Sequence, residues 1–434
     1  MGEGKPQQAV AGGPTSRARR TRRRLVARTA LTLVQLACAC VGASYSALRG
    51  PLQRLAATSS AQIGGTGNVL GIGGNKVDPP GVREERAARR AVRAGRAAYA
   101  RAAVGAYGSI SAAGLRSADE YVRSLGGTAV AARVRLDRAG GLHFTLLPSS
   151  AESANPSAHI FASFLTFRLL PHLSELLGSA EGAQLQPIDF HVSLVDEPVV
   201  CPERLADRGQ PPGAPVLAWD GPAECSRQVL FPAADLVWQN QDWSEGSRWR
   251  FDAAPQVAWE AKRDLILFRG TLYGPQRHAL KALTHGCTEH TEMVDCALYE
   301  YTDGGGGSGT EASFLNTTQQ SAYKYFLDLQ GTVSTLRLKN LLLSDSVVFV
   351  AASAHRQFFT HELQPWVHYI PVAADLSDLL ERVRWAREHD AECRVIAQRA
   401  TAYVRAHLRP ADLRAYQVRG CVPACARSLT PGSG

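Results

Sequence analysis

The chain has 434 residues, of which 45% are hydrophobic and 20% charged. That is enough apolar content for two or three buried cores, and it excludes wholesale disorder. The formal charge of +9 does not mark a nucleic-acid-binding domain, because residues 1–28 carry a net +7 and residues 83–101 a net +5, leaving about −3 for the rest. A basic patch that holds nucleic acid lies on the binding domain itself, whereas this charge sits in a leader and a stem.

In chain order, residues 1–24 read as a basic tail. Residues 25–48 include twenty uncharged residues between Arg28 and Arg49, enough to span a bilayer of roughly 30 Å. Arginines ahead of an apolar run predict a signal anchor with the N-terminus cytoplasmic and the body lumenal, a type II single-pass membrane protein of the Golgi or endoplasmic reticulum. The alternative for an arginine-rich, acid-poor start is an organellar transit peptide. Residues 49–115 read as linker and stalk. They contain the stretch GGTGNVLGIGGNKVDPPG and a helix-prone Ala/Arg segment over 83–104.

Alternation around a Gly-Gly turn predicts a hairpin over 132–148, and apolar residues at helical spacing predict a helix over 157–178, interrupted by Pro171. Strands are expected at 186–200, 215–219, 263–271, 324–329, 346–353 and 366–372, with helices over 275–284, 332–343 and 375–407. Strands alternating with helices give an α/β protein with parallel sheets. Residues 303–313 are a glycine-rich loop, and Asn316-Thr317-Thr318 is a sequon for N-glycosylation.

Nine cysteines are present, two of them (Cys38 and Cys40) in the apolar leader. The spacings 287/296 and 421/425 suit local disulfides in an oxidising compartment. Seven cysteines in the body leave an odd thiol, and Cys393, inside a helical pattern, is its expected position. No CxxC occurs, and His285 and His290 beside Cys287 lack a second cysteine pair, so no metal site is expected.

Ligands of parallel α/β sheets bind beyond the carboxyl ends of the strands, which singles out three corners. At the first, the strand over 324–329 runs into Gly331, Thr332, Val333, Ser334 and Thr335. A helix is expected to open near 332–334, with Arg337 in its first turns to clamp a phosphate and Lys339 adding charge or facing solvent. At the second, the strand over 263–271 ends in Arg269, Gly270 and Thr271, and Arg277 opens a helix. Two arginine-bearing corners suit a diphosphate. At the third, Asp196, with Glu197 as its rival, ends a strand where a carboxylate can serve as general base or, more plainly, cap a turn.

The stretches KYFLDLQGTVSTLRLKNLLLSDSVVFV, WEAKRDLILFRGT, DFHVSLVDEP and above all PWVHYIPV with the following DLSDLL resemble the Rumi-type protein O-glucosyltransferases and their capsule-associated and plant relatives, glycosyltransferase family 90. The resemblance runs over roughly residues 185–408. It implies two Rossmann-like domains facing a cleft (GT-B type): an acceptor-side domain over 116–258, a donor-side domain over 259–408, and a tail over 409–434. It also implies an inverting transfer from a UDP-sugar, glucose or xylose first among them, to a hydroxyl of a protein or glycan, with no metal and no other cofactor. Asp196 falls on the family's base, and Arg269 and Arg337 on positions like its diphosphate-binding residues. Gln330 and Gln357 depart from the charged residues common among relatives, which keeps a catalytically inactive binding relative as an alternative. The other alternative is an organellar α/β enzyme for a phosphorylated ligand.

Overall fold

The computed structural model of the chain describes residues 80–105, 112–124, 131–136, 142–147, 188–193, 214–222, 229–232, 251, 257–300, 315–331 and 333–417. The leader, the first linker, the expected helix over 157–178, the glycine-rich loop, Asp196, Glu197, Thr332, Cys421 and Cys425 lie outside them. All described residues belong to one compact unit, Thr66–Gly434.

Two five-stranded sheets organise that unit. The first contains β1 (Ala131–Leu136), β2 (Leu142–Leu147), β3 (Ile188–Ser193), β4 (Val216–Ala218) and β6 (Val229–Leu230), in the order β2-β1-β3-β4-β6. The expected hairpin is β1 paired antiparallel with β2, while β3, β4 and β6 run parallel. The second sheet contains β7 (Arg263–Thr271), β8 (Val294–Tyr299), β9 (Tyr323–Asp328), β10 (Val347–Ala351) and β12 (Ile370–Val372), all parallel, in the order β12-β10-β9-β7-β8. A short antiparallel pair, β5 (Gly221–Pro222) with β11 (His355–Arg356), ties a loop of the first sheet to a loop of the second.

The central strands of the second sheet are mainly apolar because both faces are covered. Ile266 and Phe268 on β7, Tyr325 and Leu327 on β9, and Val347 and Phe349 on β10 enter one core. The alternate residues Leu267, Phe326 and Val348 enter another, as a side-chain period of two requires. The first core is closed by helices α3 (Pro275–Leu283), α6 (Leu379–Glu388) and α7 (Asp390–His407), through Leu280, Leu379, Val383, Ile396 and Ala397. The second is closed by α5 (Leu338–Leu342), α7, and the apolar face of the first sheet, Phe190, Val192, Leu217 and Val229.

Three expectations are corrected here. The single helical pattern over 375–407 is two helices, broken at His389, whose backbone departs from helical dihedrals. The helix expected over 332–343 is only the five residues of α5, with Arg337 as its N-cap. The β-branched and hydroxyl residues before it are poor helix formers, and the Ser334 N–H is taken by Asp220 instead. The stalk helix is present as α1 (Pro80–Gly105), but it packs onto the body. Arg96, Ala97, Ala100 and Ala103 make a buried stripe at helical spacing. Arg96 gives Nε and Nη2 to the two oxygens of Glu362 at 2.6 and 2.9 Å and Nη1 to the His407 carbonyl at 2.8 Å, and its guanidinium stacks over Phe358. Arg93 adds a 2.6 Å bond to Asp412 of α8 (Pro410–Tyr416).

α2 (Ala112–Ser124), which the sequence pattern did not reveal, covers the polar face of the first sheet. Asp119 on α2 bonds His191 Nε2 and Arg133 at 2.7 Å each, and Arg133 also clamps Asp189. Burial raises the Asp119 carboxyl, but the His191 hydrogen bond and the Arg133 charge outweigh it and hold the group below its usual value. Cys287 and Cys296 form the expected disulfide, and Cys393 is a buried free thiol, pushed up to about 12 chiefly by burial. α4 (Thr317–Gln320) starts at the sequon: Asn316 Oδ1 caps the Gln319 N–H at 2.9 Å, which leaves Nδ2, the atom that carries a glycan, uncommitted on an exposed residue.

Removing one partner of a buried ion pair strands the other. Arg96→Ala is expected to cost about 3 kcal/mol in denaturant unfolding, with Arg96→Ala/Glu362→Leu recovering much of the loss. Equal stability of Arg96→Ala and the parent chain would show that α1 is not held by this pair.

Candidate functional site

The second sheet has its chain reversal between β7 and β9. From β7 the chain goes outward to β8, and then returns past β7 to β9, β10 and β12. Counted in chain order within the sheet, this is the doubly wound order 2-1-3-4-5, and ligands of such sheets sit at the carboxyl ends of the strands flanking the reversal. Those ends are Phe268–Thr271 and Asp328–Leu329, the two arginine corners of the sequence.

The corners touch. Gly274, the N-cap of α3, has φ +79°, and a Cβ there would collide with the Gly331 carbonyl. Only glycine satisfies both the backbone conformation and the approach. Gly331 lies against Arg277: a Cβ at 331 would stand 3.4 Å from its Nη2. A Cβ at Gly270 would meet the Phe268 ring at 3.0 Å. The Gly331 N–H bonds the Val333 carbonyl at 3.0 Å, which turns the loop back on itself. Gln276 locks the arrangement, accepting from the Gln330 N–H at 2.9 Å and donating to the Ala352 carbonyl at 2.7 Å.

Two guanidinium groups converge on this turn. Arg277 donates Nη1 to the Thr271 carbonyl at 2.9 Å, and Arg337 donates Nη1 to the Arg269 carbonyl at 2.6 Å. Both lie over the Phe268 ring, at 5.8 and 5.0 Å from its centroid. Burial and the neighbouring Arg337 charge bring Arg277 down to about 10, and burial likewise lowers Arg337. The anion between them is Asp328. Its carboxyl is raised by burial against the pull of both arginines and the Thr335 hydroxyl, which donates to it. One carboxylate thus faces two guanidiniums. The Nε of each arginine and the Ser334 hydroxyl are sealed from solvent with no hydrogen-bond partner. Buried donors are nearly always satisfied, and each exception calls for a cause.

Arg269 does not share the Phe268 ring. One residue on from Phe268, its side chain leaves the opposite face of the sheet. There it bonds the Asp295 carboxylate at 2.6 Å and the Asp295 carbonyl at 2.9 Å. The guanidiniums that share the Phe268 ring are those of Arg277 and Arg337, while the charges of Arg269 and Arg337 both bear on the Tyr299 hydroxyl. Thr271 contributes its carbonyl, Val333 is buried, and Lys339 is buried inside α5, not turned to solvent. Gln357 is a buried brace whose amide donates to the Thr335 carbonyl at 2.6 Å. An ionised glutamate could not make that bond.

The carboxyl edge of the first sheet meets the same loop. Asp220, just past β4, accepts the Ser334 N–H at 3.2 Å and bonds His355 Nδ1 at 2.7 Å. β3 runs parallel to β4 and ends at Ser193 on that edge, three residues before Asp196. Neither Asp220 nor His355 belongs to a sequence pattern that would have selected it, and Gln276 and Asp328 were signalled only by standing at a helix start and a strand end.

Residues 164–419 match the family model described as glycosyl transferase family 90. Similar curated proteins include protein O-glucosyltransferase 2 of Danio rerio, 33% identical over 239 residues that make up 54% of this chain and 46% of that protein. Others are protein O-glucosyltransferase 3 of Homo sapiens (29% over 246 residues, 56% of this chain and 47% of that protein) and protein O-glucosyltransferase 1 of Homo sapiens (29% over 224 residues, 47% and 55%). The chain spans about half the length of the curated relatives it matches. The matched region covers more than half of the chain and holds the whole parallel sheet, both arginine corners and the segment of Asp196, so this protein belongs to glycosyl transferase family 90.

Proposed function

We propose that the chain is an inverting glycosyltransferase that moves a sugar from a UDP-sugar to a hydroxyl of a protein or glycan. The observation that carries this reading is the pair of Phe268-stacked guanidiniums, Arg277 and Arg337, each with an Nε that has no partner, at the reversal of a doubly wound sheet. A diphosphate is the anion that two adjacent guanidiniums with too few acceptors would take once the loop 330–334 opens to admit it, and bidentate arginine is the geometry that such an anion prefers. The start of α3, capped by no side chain, adds a helix N-terminus to the same corner. Together they neutralise the UDP leaving group, a task a bound cation performs in other enzymes.

In this reading residues 259–408 are the donor side and 116–258 the acceptor side of a GT-B-type cleft. The base in this reading is Asp196, three residues beyond the end of β3. Its carboxylate takes the proton of the acceptor hydroxyl as that oxygen bonds to the anomeric carbon. The bond from the anomeric carbon to the diphosphate oxygen breaks, and UDP departs with the electron pair. Glucose is the first donor sugar to test, from the names of the relatives, and xylose the second. Residues 25–48 anchor the protein, with its body in the lumen of the endoplasmic reticulum or Golgi.

UDP release from UDP-glucose, UDP-xylose and UDP-galactose by the purified body tests the activity. Arg337→Ala is expected to weaken UDP binding about 100-fold, read by calorimetry. A thermal melt of the variant accounts for the separate loss of its bond to the Arg269 carbonyl and of its charge beside Asp328. Undiminished UDP affinity in Arg337→Ala contradicts the donor site. Asp196→Asn is expected to lower turnover by about three orders of magnitude with UDP affinity unchanged, and a variant of full activity removes Asp196 from the mechanism. Expressed in secretory cells, the chain should carry a glycan on Asn316 by mass spectrometry; full occupancy by an unmodified asparagine argues against a lumenal body.

A further inference from the structure

His355 is held by a buried carboxylate in a way the arginine corner does not require. Its Nδ1 lies 2.7 Å from Asp220 Oδ1, and Asp220 is 1% exposed. The other Asp220 oxygen takes the Ser334 N–H, so the same carboxylate fixes the histidine ring and the loop bearing the unsatisfied Ser334 hydroxyl. On its other flank, the His355 N–H donates to Ser353 Oγ at 2.9 Å, and Ser353 donates to the Gln330 side chain. His355 is thus tethered at two points to the loop 330–334, which also packs on Arg277. Among the described residues Nε2 has no hydrogen-bond partner, and the side chain keeps 12% of its surface open.

A carboxylate on Nδ1 takes its hydrogen bond from Nδ1–H, so in the neutral ring Nε2 presents a lone pair. The two arginines offer only donors. An acceptor at the rim of the same corner complements the part of a nucleotide sugar that the arginines cannot read, its hydroxyl groups.

We infer that His355 is a ligand-contacting residue of this site, with Nε2 accepting a hydrogen bond from a sugar hydroxyl of the bound nucleotide sugar, and that Asp220 is the positioning residue that orients it. The inference rests on the reading of the corner as a donor site. The hydroxyl belongs either to the ribose or to the transferred sugar, and the choice of ligand separates the two.

The test is equilibrium binding of UDP-glucose and of UDP to the full chain and to His355→Phe, His355→Gln, Asp220→Asn and Arg337→Ala, with a thermal melt of each. His355→Phe keeps a ring but no acceptor, and should weaken UDP-glucose roughly tenfold, one hydrogen bond's worth, at an unchanged melting temperature. His355→Gln restores an acceptor oxygen and should recover part of the loss, which a purely structural role would not show. Asp220→Asn, acting through the ring, should fall between the parent chain and His355→Phe. If UDP weakens as much as UDP-glucose, the hydroxyl is on the ribose; if UDP is unaffected, it is on the transferred sugar. Parent-level affinity of His355→Phe for both ligands, alongside loss in Arg337→Ala, overturns this inference and leaves the donor site standing. A parent chain that binds neither ligand overturns the donor site and this inference with it.

Discussion

Two positive charges packed against one aromatic ring, with one carboxylate to share, are the constraint on which the rest of the structure turns. Arg277 and Arg337 flank Phe268 and compete for Asp328. Burial penalises every charge in the group. Such an arrangement persists only because its surroundings dictate it: the Gly274–Gly331 contact admits no side chain, Gln276 clamps α3 to the ends of β9 and β10, and Gln357 fixes the carbonyl of Thr335. The deficit of acceptors is local and consistent, since both Nε atoms and the Ser334 hydroxyl lack partners in the same few residues.

Topology explains why this constraint falls where it does. In a doubly wound sheet the two strands at the reversal send their following loops to opposite sides, and a gap opens between them. Here that gap is filled by side chains from both loops, so the arginines come from separate corners yet share one ring. The first sheet completes the boundary with its own carboxyl edge, through Asp220 and the β5–β11 pair. Members of glycosyl transferase family 90 are recognisable over this half of the chain, and the family match extends from before β3 to beyond α8.

Much of the parallel sheet was legible in the sequence because its strands are buried on both faces. β7, β9 and β10 each carry an apolar run, and Gly331, Gly270 and the helix opened by Arg277 stand where turn chemistry puts them. β8 was not legible: VDCALY is short, mixed in polarity, and half-exposed at the sheet edge. Nor was the direction of Arg269. Its strand parity opposes that of Phe268, but the ring became a reference point only once Arg277 and Arg337 were seen to stack on it. The Ala/Arg helix looked like a solvated stalk because six of its arginines signal exposure more loudly than a stripe of alanines signals packing. The burial of Arg96 depends on Glu362, 266 residues away. Asp220 and His355 lie 135 residues apart, and no local pattern announces such a pair.

The central claim is that the corner awaits a diphosphate and not merely any nucleoside. The most direct measurement is the melting temperature of the unmodified chain with saturating UDP and, separately, with uridine. Binding to the native state alone raises the melting temperature by mass action. UDP is expected to raise it by roughly 3 °C or more, and uridine, which lacks the phosphates, to leave it unchanged. Equal shifts with the two, or none with UDP, would contradict the account.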